Sequence, residues 1–105
     1  MSHELAEKTA GLASRVDNLV ALETGDDSRR LDALQDRLED LSLAAIAKDL
    51  DDSVKSYKDA LQALNDAIDT IGNADKTLTN IARVIAIVAK AADLVEKAIK
   101  MAASV

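Results

Sequence analysis

The sequence has no cysteine, proline, tryptophan or phenylalanine, and it holds one histidine (His3), one aromatic residue (Tyr57) and three glycines. Each absence removes a class of answer. Without cysteine there can be no disulfide, thiolate metal site or thiol nucleophile. A lone histidine supplies neither the His-x-x-x-His of a zinc helix nor the paired Glu-x-x-His of a di-iron bundle. No cofactor and no metal are expected. The serines lack a Gly-x-Ser-x-Gly elbow and a histidine partner, so no catalytic residue is expected either. A strand-rich fold would need the β-branched, aromatic and turn residues that are scarce here. The missing prolines also remove the commonest helix stop.

Basic charge is in short supply. Thirteen Lys and Arg stand against 19 Asp and Glu, a net charge of −6. A nucleic-acid-binding surface needs a basic stripe and often stacking aromatics, so no nucleic acid is expected as a partner. The deficit is uneven: residues 1–72 carry 16 acids and 8 bases, whereas residues 73–105 carry 3 acids and 5 bases. Residues 1–10 hold charges and no apolar stretch of the kind a secretory signal has. No window approaches the roughly 18 apolar residues that a spanning helix requires. The expected location is cytoplasmic.

What the chain does have is 20 alanines and 14 leucines, both strong helix formers, with apolar residues recurring every three or four positions. Leu5, Leu12, Val16 and Leu19, with Ala6, Ala13 and Val20, form a first seam. Leu31, Leu34, Leu38, Leu41 and Ala45 form a second. Leu50, Val54, Tyr57, Leu61, Leu64, Ile68 and Ile71 form a third, and Leu78, Ile81, Ile85, Val88, Ala92, Val95, Ile99 and Ala102 a fourth. Such seams belong to helices packed side by side. Tyr57 falls in a seam, which places its ring in the core and its hydroxyl at the rim.

Gly25, followed by Asp26, Asp27 and Ser28, reads as a helix C-cap followed by N-capping side chains. Gly72 and Asn73, ahead of Asp75, repeat that logic. Gly11 lies within a helical pattern. Neither glycine nor proline marks residues 48–53, but at 100° per residue the seams Leu31–Ala45 and Leu50–Ile71 point about 150° apart. A break at residues 49–53, capped by Asp51, Asp52 or Ser53, resets that phase. The reading is an all-α, up-and-down four-helix bundle forming one domain over residues 1–105, with helices at about 2–24, 28–48, 52–72 and 75–104. The alternative is three helices, one of them continuous over about 28–72, in an oligomer.

Acidic clusters offer little chemistry. Asp49, Asp51 and Ser53 open like a calcium loop, but Val54 and Ala60 stand where an EF-hand needs glycine and glutamate. Asp59, Asp66 and Asp69 fall opposite their seam and should be solvated, as should Glu39 and Asp40.

The last helix differs from the others. Beside its first seam runs a second, Val84, Ile87, Ala91, Leu94, Ala98, Met101 and Val105, and Lys76, Arg83, Lys90 and Lys97 recur every seven residues along the remaining strip. A surface helix needs an apolar arc of little more than about 100°. Val84, Ile87, Ala91, Leu94, Ala98 and Met101 are therefore the candidate interface of a non-catalytic assembly module. Its expected partner is a second copy of the chain or another protein. The alternative is a membrane-active or peripheral membrane protein, of the kind found as toxin components, whose basic-edged last helix meets a bilayer surface.

Overall fold

The structure is a computed structural model, and it describes residues 3–48, 50, 51, 53–74 and 81–103. Among the described residues four helices make up the fold: α1 (Glu4–Leu22), α2 (Gly25–Ala47), α3 (Lys55–Ala74) and α4 (Ile81–Ala103). The break between α2 and α3 rules out the continuous middle helix, and the four-helix bundle stands.

Helix directions follow from contacts between named atoms. Ser42 Oγ near the end of α2 donates to the Ala6 carbonyl near the start of α1 at 2.9 Å, so the two helices are antiparallel. The Leu5 amide at the start of α1 donates to the Tyr57 hydroxyl at the start of α3 at 3.1 Å, so α1 and α3 are parallel. Thr70 of α3 and Arg83 of α4 line one groove, which makes that pair antiparallel. Directions therefore alternate along the chain. The corners, however, follow the order α1–α2–α4–α3, so α2 and α3 sit diagonally opposite despite being consecutive in sequence. Two antiparallel hairpins, α1/α2 and α3/α4, pack face to face.

The deepest residues repeat every seven positions. Leu5, Leu12 and Leu19 of α1, Leu31, Leu38 and Ala45 of α2, and Tyr57, Leu64 and Ile71 of α3 are all buried. In α4 the buried stripe falls between the two expected seams and draws on both, through Val84, Val88, Ala91, Val95 and Ala98. Seam residues at the margins, among them Leu34, Leu41, Leu61, Ile68, Ile81 and Ile85, are half-buried against this core. Val54 departs from its expected core position and is 41% exposed, because it precedes the first turn of α3. Ala60 and Ala67, off the third seam, are fully buried; with no side chain beyond Cβ they let neighbouring helices approach closely.

The helix ends differ from the expected caps. Helix α1 stops at Leu22, and Glu23 closes it in an extended conformation with its amide on the Leu19 carbonyl. Gly25 does take the left-handed region, φ +68°, but it opens α2 rather than ending α1. Thr24 caps α2 without a side-chain bond. Ser28 instead donates to the Val20 carbonyl at 3.1 Å, pinning the start of α2 to the end of α1. Helix α3 runs through Gly72 and Asn73, neither of which has positive φ. Before α3, the Asp51 carboxylate accepts from the Ser53 amide at 2.9 Å and the Ser53 hydroxyl at 2.6 Å, a turn outside the helix rather than a cap on it. These two bonds hold the Asp51 carboxyl below its ordinary pKa. The expected caps Asp52 and Asp75, the start of the last helix at residue 75, and Lys76 and Leu78 lie outside the described residues.

Candidate interaction surface

Six residues of α4 carry the sequence-based site, and they divide by burial. Val84 and Ala98 are 4% exposed and Ala91 is fully buried, so these three belong to the core of the chain's own bundle. Ile87 and Leu94 are half-buried at its edge. Met101 is 46% exposed. The surface part of the stripe is thus Ile87, Leu94 and Met101, spaced seven residues apart, with Ala82 and Ala86 also exposed on the outer side of α4.

Arg83, Lys90 and Lys97 are exposed at the same spacing. Arg83 and Lys90 line a groove of about 420 Å³ between α3 and α4, with Ile87 on the same wall and Asp66 and Asp69 opposite. Among the described residues none of the three cations lies within ion-pair distance of a carboxylate. Asp59, Asp66 and Asp69 are exposed, and Asp59 pairs with Lys55 at 2.8 Å.

The polar contact between α2 and α4 is more tightly built. Arg37 of α2 reaches Asp93 and Glu96 of α4 at 2.8 Å each, and Lys100 reaches Glu96 at 2.8 Å. Hydrogen bonds from Lys100 first, then Arg37, bring the Glu96 pKa down to about 2. The bond to Glu96 is also the main reason the Arg37 pKa is raised. This cluster ties the two hairpins together at the surface.

A second groove, of about 520 Å³, lies on the opposite side of the molecule between α1 and α2. Ala10, Ala13, Ser14 and Ser42 keep it shallow, Asp17, Gln35 and Glu39 form its polar wall, and Leu43 stands at one end. Leu43 is 67% exposed and Ile46, one turn further on, 53%. Neither side chain belongs to the apolar repeat from which the sequence-based surface was drawn. The signal was present: both fall outside the Leu31–Ala45 seam, so packing against α1 and α4 leaves them uncovered.

The residues weighed for chemistry find structural places. His3 is exposed at the N-cap of α1 and makes no side-chain capping bond. Ala60, at the last position of the calcium-like pattern, is in the core. Among the described residues no group of three or more His, Cys, Asp or Glu side chains is arranged to hold a metal. Among them, too, no helix is long and apolar enough to cross a membrane. Tyr57 corrects its expectation: it is 3% exposed, and its hydroxyl lies not at the rim but against the first turn of α1.

No protein-family model matches the chain, and no curated protein or solved structure matches it either.

Proposed function

We propose that this chain is a non-catalytic helical assembly module that self-associates through the part of α4 left outside its core. The observation that supports the reading is the row Ile87, Leu94 and Met101, partly or largely exposed at heptad spacing beside the exposed cations Arg83, Lys90 and Lys97. Apolar side chains left at the surface in a row along one helix mark a contact surface. Val84, Ala91 and Ala98 serve as the rigid backing of that surface rather than as contacts.

Sedimentation velocity over a range of concentrations tests the reading. Mass above the 11.1 kDa of one chain is expected at high concentration. Leu94→Glu should return the protein to single-chain mass. Because Leu94 also packs against the core, Ala86→Glu, at an exposed position, provides a second test free of any folding defect. A protein that stays at 11.1 kDa throughout overturns self-association.

The membrane-surface reading rests on the basic edge of α4. Asp66 and Asp69 share a groove with Arg83 and Lys90, which sets carboxylates beside the cations that an anionic bilayer would need to meet. With no Trp or Phe to anchor it in a bilayer, α4 is better suited to assembly than to bilayer binding, and retention on anionic vesicles at low salt would reverse the preference.

A further inference from the structure

Self-association through α4 leaves open what α4 meets, and the opposite side of the molecule offers a counterpart. Resting on the assembly reading above, we infer that the α4 edge of one copy docks into the α1/α2 groove of the next, a head-to-tail contact rather than a symmetric α4–α4 contact.

Three features of the groove point to this occupant. The first is charge. Asp17 and Glu39 line the groove and no basic side chain does, while Asp32 and Asp36 are exposed on the same side of α2. None of these four carboxylates forms an ion pair among the described residues. The three exposed cations of the α4 edge, Arg83, Lys90 and Lys97, are in the same condition. Two cations meeting each other across a symmetric contact would repel, whereas cations meeting the groove find carboxylates.

The second is spacing. Asp32 and Glu39 are seven residues apart on α2, as are Lys90 and Lys97 on α4, so both pairs of charges are about 10.5 Å apart along their helices. A helix laid along the groove brings both pairs into register together. The third is apolar shape. Leu43 protrudes at 67% exposure and Ile46 at 53%, and a protruding leucine needs a flat apolar surface to cover it. Exposed Ala82 and Ala86, one turn apart on the flank of the cation row, leave room for it. The two surfaces lie on opposite hairpins, so occupying one leaves the other open for a further copy.

Charge reversal separates the possibilities. Asp17→Lys with Glu39→Lys alters only the groove, and Lys90→Glu with Lys97→Glu alters only the edge. All four positions are exposed, and circular dichroism checks that both variants keep the fold. In sedimentation velocity at low salt the wild type should associate, and should do so less as salt rises. Each variant alone should run as a single chain, and an equimolar mixture should regain association with the two variants alternating. If the groove variant alone associates like the wild type, the contact does not use the groove: this inference falls while self-association stands. A mixture that stays at single-chain mass overturns the pairing as well. A wild type that never exceeds single-chain mass overturns both proposals.

Discussion

Tyr57 shows how one side chain performs two tasks. Its ring fills a heptad position of α3, and its hydroxyl accepts from the Leu5 amide at the start of α1. The first amides of a helix have no partner within it, and His3 at the N-cap makes no side-chain bond to them, so a residue 52 positions away supplies one. Removing that oxygen strands a buried donor, which costs about 1–3 kcal/mol. Tyr57→Phe should lower unfolding free energy by that amount in a denaturant titration while leaving helix content unchanged. Periodicity had placed the ring correctly. It could not place the hydroxyl, because a repeat records which face is inward and nothing about what faces it from another helix. The same limit hid the link from Arg37 to Asp93 and Glu96.

Elements were more legible than their ends. Four seams gave four helices, and the phase slip between Leu31–Ala45 and Leu50–Ile71 located the α2/α3 break without any glycine or proline to mark it. The caps depart from expectation because a glycine that follows a seam need not stop a helix. Gly25 and Gly72 show why. Gly25 has φ +68°, a region costing other residues about 1–2 kcal/mol. Gly72 is helical and exposed, and a Cβ added there would touch nothing within 4 Å. The two should respond to alanine with opposite signs. Gly25→Ala is expected to destabilise by about 1–2 kcal/mol, and Gly72→Ala to stabilise by up to about 1 kcal/mol. Thermal melts of the two variants beside the wild type check both signs.

At the scale of the whole molecule, an accessible surface of 6183 Å² for 11.1 kDa is near the roughly 5,700 Å² that size scaling gives a monomer. One chain therefore shelters its own core. This is where the surface site became hard to read: a wide apolar arc on α4 reads the same whether its cover comes from α2 and α3 or from another molecule. The hairpins are also joined by charge. Glu96, with its pKa held at about 2 against an ordinary 4.5, favours the folded state fully above pH 4.5. That contribution is lost as pH falls from 4.5 towards 2, because the unfolded chain takes up the proton first. The stability difference between wild type and Glu96→Gln should be constant above pH 5 and shrink over that interval, and denaturant titrations at stepped pH would reveal it. A difference that does not change with pH would mean that the cluster does not couple to folding.

The diagonal placement of α2 and α3 also divides the search for the native state. Within each hairpin, partners are near neighbours along the chain, and closing so short a loop costs little entropy. Only the packing of one hairpin on the other requires distant segments to meet, through links such as Leu5 with Tyr57 and Arg37 with Glu96. A topology so rich in local encounters belongs among fast folders, with little time for unfinished chains to expose their leucines to one another.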